Sequence, residues 1–154
     1  MRAAVLALGS GLALCGGAGA ALAETAWCPD LKRVTDVAAT NRLAVIAGPP
    51  REGSFRGTTM PLAGWRDCSL YGARTYTCDS PAFKTAGEAA QALAALVGEV
   101  RDCLGADWSK DDSRSSPVYV AVRNERDGLS MTLSTDQAGD GEHIVRLTLF
   151  LRGR

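Results

Sequence analysis

Five cysteines, one histidine and 17 carboxylates are the side chains here best equipped for chemistry, and their spacing decides which chemistry is open to them. Cysteines hold metals from close C-x-x-C pairs, usually together with histidines. Cys28, Cys68, Cys78 and Cys103 are spaced far too widely for that, and His143 is the one histidine of the chain, so no metal is implied. An even set of cysteines in a small exported domain reads instead as two disulfides. Four cysteines allow three pairings, and sequence alone does not choose among them. Cys68 and Cys78 lie symmetrically about Ala73 in a hairpin pattern, which favours Cys68 with Cys78 and leaves Cys28 with Cys103; the rival pairing is Cys78 with Cys103. Either way the thiols, the best nucleophiles at hand, are consumed.

Other catalytic readings are thin. Imidazole catalysis needs an orienting partner and a nucleophile beside the ring. Parity places His143 on the face of Val145 and Leu147, at the edge of the buried side, where a structural role is favoured. Asp136, Asp140 and Glu142 could offer oxygens to calcium, as could Asp107, Asp111 and Asp112. Neither run has the alternating ligands and distal Glu of an EF-hand, so both read as acidic polar loops. Ser113, Ser115 and Ser116 sit in no G-x-S-x-G elbow. The expectation is a protein that is not an enzyme and uses no cofactor. The runner-up is a small hydrolase working through carboxylates or His143, because the separation in space of a carboxylate pair is not written in sequence.

Binding chemistry has better material. In the last third of the chain, alternation puts Tyr119, Arg123, Arg146 and Phe150 on the outer face of a sheet, with Thr132, Ser134, Thr148 and Arg152 beside them. Aromatic and arginine side chains are the types enriched at binding hot spots. Trp65 and Trp108, each in or beside a loop, are further candidate anchors, with core plugs as the plainer reading. An envelope protein or a small ligand is the expected partner. Excluding Arg2 of the leader described next, the chain has one more acidic than basic residue, which gives no general attraction to nucleic acid or anionic lipid.

The elements that must position these residues begin after a leader. Met1 and Arg2 supply one positive charge, Ala3 to Ala23 run on uncharged, and Ala21-Leu22-Ala23 has the small-x-small form that signal peptidase cuts. Residues 1–23 therefore read as a cleavable signal peptide and 24–154 as a single domain. Leu14 stands where lipidation at Cys15 would want a small residue. A periplasmic or secreted location follows, with no stable membrane insertion once the leader is removed.

Within the domain, Leu31, Val34 and Ala38 recur at helical spacing over about 30–41. Residues 48–64 are dense in Gly and Pro and read as a long loop. Alternation from Trp65 to Asp79 reads as a hairpin. Thr85-x-x-Glu88 is a capping box that opens a helix ending at Gly105, with Leu93, Leu96, Val97, Val100 and Leu104 as its apolar stripe. Asp107 to Arg114 reads as a polar loop. Val118, Val120 and Val122, then Leu129, Met131 and Leu133, then Val145, Leu147, Leu149 and Leu151 make a three-stranded meander. The expected fold is α+β and two-layered: two helices packed on an antiparallel sheet, in the order helix, hairpin, helix, three-stranded meander, with roughly five strands and disulfide bracing. No repeat and no family signature is carried by these residues.

Overall fold

The computed structural model describes residues 26–151. The leader read in residues 1–23 lies outside the described residues, as does Arg152.

Among the described residues there are two α-helices and eight strands. Helix α1 runs over Cys28–Ala39 and helix α2 over Ala86–Leu104. The strands are β1 (Ala47–Pro50), β2 (Phe55–Thr58), β3 (Arg66–Tyr71), β4 (Thr75–Asp79), β5 (Trp108–Ser116), β6 (Tyr119–Asn124), β7 (Leu129–Gln137) and β8 (His143–Leu151). All eight join one sheet in the order β1-β2-β3-β4-β8-β7-β6-β5, each neighbouring pair antiparallel. The sequence expectation of a separate hairpin and a three-stranded meander is therefore corrected. The hairpin, β3 with β4, is the inner half of a four-stranded run, the meander has four strands, and β4 pairs with β8 from Thr75↔Phe150 to Asp79↔Arg146 to fuse the two.

Two stretches read as loops are strands. Residues 48–64 hold β1 and β2, because Pro49 and Pro50 lie on an edge strand whose outer side needs no ladder donor. The strands approach closely where both carry glycine: a Cβ added to Gly48 would stand 3.0 Å from the Gly57 carbonyl carbon. The Arg56 guanidinium donates to the Gly48 carbonyl at 3.1 and 3.0 Å and braces the pair. The run from Asp107 to Arg114 is mostly β5, the opposite edge, where polar side chains meet water and a register shift after Asp111 bends the strand. Proline at one edge, and charge with a bulge at the other, blunt the tendency of open edges to pair with other chains. Val118, expected in the core, is 54% exposed just before β6.

The helices behave as their residues dictate. Thr85 Oγ1 accepts from Glu88 N at 3.1 Å while Glu88 Oε2 accepts from Thr85 N at 3.2 Å, so the capping box closes from both sides. Gly105, at φ 84° and ψ −174°, takes a positive-φ conformation that favours glycine, and its N–H donates to the Arg101 carbonyl where α2 ends. Helix α1 starts two residues earlier than read, with Pro29 in its first turn, and buries Leu31, Val34 and Ala38. After it Leu43 and Ile46 are buried from a short 3-10 turn.

Both helices cover the same face of the sheet, with α2 lying over β7 and β8. Tyr76, Leu70, Met131, Leu133, Leu147 and Leu149 face them in one continuous core. The structure contains Cys68–Cys78, across β3 and β4, and Cys28–Cys103, from the start of α1 to the last turn of α2. The hairpin symmetry about Ala73 is realised in the pairs Tyr71↔Thr75, Leu70↔Tyr76 and Ser69↔Thr77. Two disulfides fit an oxidising compartment.

Candidate functional site

Because the helices lie on one face, the alternate residues of β3, β4, β8, β7 and β6 face away from them. Register sets these residues in rows across the sheet. One row is Ser69, Thr77, Thr148, Thr132 and Ala121. The next is Tyr71, Thr75, Phe150, Ser130 and Arg123. Ser69, Ser130 and Thr132 are buried although no helix lies over them. Small side chains sit low here between larger register neighbours such as Phe150 and Arg123.

At the β2 end of this face the low ground opens into a cleft of about 540 Å³. Its hydroxyl floor is Ser69, Thr75, Thr77 and Thr148, with the Thr77 and Thr148 hydroxyls 3.4 Å apart. Phe55 of β2 and Tyr71 of β3 form its aromatic wall, their ring centroids 5.2 Å apart and tilted by 51°. They are 44% and 52% exposed, so both rings are open to a ligand. Arg51 and Glu52, from the β1–β2 turn, and Asp67, from the irregular part of β3, add charge to the lining.

Asp79 and Arg146 complete the lining. Arg146 donates through Nε to Asp79 Oδ1 at 2.7 Å and through Nη2 to Oδ2 at 3.1 Å, and its Nη1 pairs with Asp136. The hydrogen bonds to Asp79 raise the Arg146 pKa above the ordinary guanidinium value, with desolvation acting the other way and the Asp79 and Asp136 charges adding to the rise. The guanidinium is thus permanently charged and already occupied by two carboxylates.

A larger hollow of about 910 Å³ lies among the end of α1, the β3–β4 turn and the β6–β7 turn. It has neither a hydroxyl nor an aromatic ring in its lining. Its Arg126 and Asp127 are paired with each other, and Arg126 also with Asp107. The smaller cleft is chemically the richer of the two.

Comparison with known protein families, with curated proteins and with solved structures finds no match.

Of the residues singled out in the sequence, Arg146 and Thr148 line the cleft, and Phe150 stands in register beside its Thr75. Tyr119 and Arg123 share the open face but lie two strands beyond β8, where Arg123 pairs with Asp111. Trp65 packs edge-on against Trp27, with centroids 6.2 Å apart and planes at 74°. Trp108 is buried in the core from β5. The two tryptophans are not brought to the cleft. His143 pairs through its backbone with Phe83, donating at 3.3 Å and accepting at 2.7 Å, and is not among the cleft residues. Asp136 and Glu142 are engaged by Arg146 and Arg66. Among the described residues no three His, Cys, Asp or Glu side chains gather as metal ligands.

Phe55, Tyr71 and three of the four floor residues, Ser69, Thr75 and Thr77, carry no site assignment in the sequence reading, which names only Thr148 of the floor. The floor has a visible signal, since Ser69 and Tyr71 alternate with Cys68 and Leu70, and Thr75 and Thr77 with Tyr76 and Cys78. Phe55 has none, because its strand is hidden among Gly and Pro.

Proposed function

We propose that this chain is an exported, non-enzymatic binding module of the cell envelope, periplasmic or secreted, and that the cleft over β3, β4 and β8 holds a small ligand. One observation carries this reading. A cleft of about 540 Å³ opens on the sheet face away from both helices, and it combines exposed aromatic rings, a hydroxyl floor and a fixed ion pair. Small-molecule sites are concave, fall roughly between 300 and 1,000 Å³, and set a few fixed polar groups beside apolar walls. The disulfide bracing supports export, since it forms where the compartment is oxidising.

The test is a fragment screen by NMR on isotope-labelled protein recovered after export. Fragments are expected to shift the amides of Ser69, Tyr71, Thr77 and Thr148 together. Hits gathered around Arg126 in the other hollow, or none at all, would remove the cleft from consideration. The intact mass of the same material should match a chain that begins at Glu24, and a diacylated Cys15 would overturn the signal-peptide assignment.

A further inference from the structure

We infer that the ligand of this cleft is a neutral saccharide; the inference rests on the binding reading above and adds the chemical class. Three observations point to it. The first is the floor. Ser69, Thr75, Thr77 and Thr148 present hydroxyls, each able to donate and to accept. A floor of uncharged groups with both capacities matches a ligand whose own edge is a row of hydroxyls, because either partner can supply the proton.

The second is the wall. Phe55 and Tyr71 stand together at 5.2 Å with much of each ring exposed. The electron-rich ring face attracts the positive edge of C–H groups. A pyranose offers C–H groups on its faces and hydroxyls around its rim, so the wall and the floor serve one molecule at once.

The third is charge. Arg146, the cation fixed in the lining, is occupied by Asp79 and Asp136. Arg51 is the other cation of the lining and stands with Glu52 and Asp67. No surplus of positive charge is left for a carboxylate or phosphate, which bind tightly where arginine forks are open. Glu52 and Asp67 are exposed, where an ion contact in water contributes little. Affinity must come from the hydroxyls and rings, and these select a neutral polyol.

The experiment titrates the exported protein separately with maltotriose, chitotriose, spermidine and citrate, each to about 10 mM, which saturates a site of millimolar Kd. Amide shifts and heat are both recorded. At least one trisaccharide is expected to give saturable shifts at Ser69, Thr77 and Thr148. Tyr71→Ala should weaken it about tenfold, the loss expected of an aromatic contact, and the near-isosteric Thr77→Val should weaken it by a smaller factor. Val45→Ala, an exposed position not among the cleft residues, serves as the control and should bind unchanged. Two results overturn the inference: neither trisaccharide shifts these amides, or one binds and both cleft variants bind it as the wild type does. If spermidine or citrate takes the cleft instead, or fragments do while saccharides do not, the saccharide class fails and the binding reading stands.

Discussion

Asp79 and Arg146 lie directly opposite each other on β4 and β8, and the arginine grips the carboxylate through two hydrogen bonds of 2.7 and 3.1 Å. This pair sits where the four amino-terminal strands join the four carboxy-terminal ones, so it both lines the cleft and clamps the seam of the sheet.

Removing one partner should loosen that seam. Charge-assisted bidentate pairs are among the stronger hydrogen bonds, but Arg146 is 35% exposed and solvent screens part of the gain. Asp79→Asn and Arg146→Met are each expected to lower unfolding stability by about 1–2 kcal/mol in urea. The double variant should lose less than the sum, with a coupling of about 1 kcal/mol that shrinks as salt is raised. Additive losses would mean that the contact is geometric rather than energetic.

The two disulfides should contribute unequally. Cys68–Cys78 closes a separation of 10 residues and Cys28–Cys103 one of 75. On chain-entropy grounds the first is worth roughly 3 kcal/mol and the second roughly 4.5. Replacing both cysteines of the long pair by alanine should therefore lower the thermal midpoint further than doing so for the short pair. The reverse order would show that the β3–β4 bridge acts through native packing rather than through the unfolded chain.

Local signals made α2 and the disulfides legible. The capping box at Thr85 and Glu88, the stop at Gly105 and the symmetry about Ala73 are each short-range patterns, and each is realised. The sheet was not legible, for three physical reasons. Gly48, Pro49 and Pro50 are poor strand formers whose edge position excuses them. The polarity of β5 reports an exposed edge, and in sequence an exposed edge strand looks the same as a polar loop. Pairing of β4 with β8 joins residues such as Thr77 and Thr148, 71 positions apart, and leaves no trace in any local pattern. Half of the cleft went with it: Arg146 and Thr148 were placed on an outer face, but Tyr71, Thr75 and Thr77 joined them only once the two halves formed one sheet.

Tyr76 should make the fold sensitive to alkali. Its side chain is fully buried, and its hydroxyl donates to the Met60 carbonyl at 2.8 Å. Burial, with a smaller effect from the Asp30 charge, raises its pKa well above the ordinary value of 10.0. A raised pKa means that the folded state holds the proton longer than the unfolded chain does. This contribution is therefore complete below pH 10 and falls as pH climbs above it. Urea midpoints should drop between neutral pH and pH 11, and Tyr76→Phe should flatten that drop while costing about 1 kcal/mol at neutral pH through the lost hydrogen bond. An identical alkaline slope in the variant would assign the effect to other groups.

Gly48 and Gly57 face each other across β1 and β2, yet they should differ in what they tolerate. A Cβ on Gly48 would stand 3.0 Å from backbone carbon of β2, which cannot yield without parting the strands. A Cβ on Gly57 meets its nearest atoms at 3.5 Å or beyond, an ordinary contact. Gly48→Ala should thus cost about 1–3 kcal/mol of local strain, confined to the hairpin because β1 is the outermost strand. Hydrogen exchange should show it as lost protection at the amides of Arg51 and Thr59, which donate to the Phe55 and Ile46 carbonyls, while core amides such as that of Leu147 keep theirs. Gly57→Ala should leave the pattern unchanged. Since β2 carries Phe55 to the cleft, Gly48→Ala should also weaken any ligand that uses the aromatic wall, with the floor residues intact. Equal protection in the two variants would show that the hairpin is held by something other than this close approach.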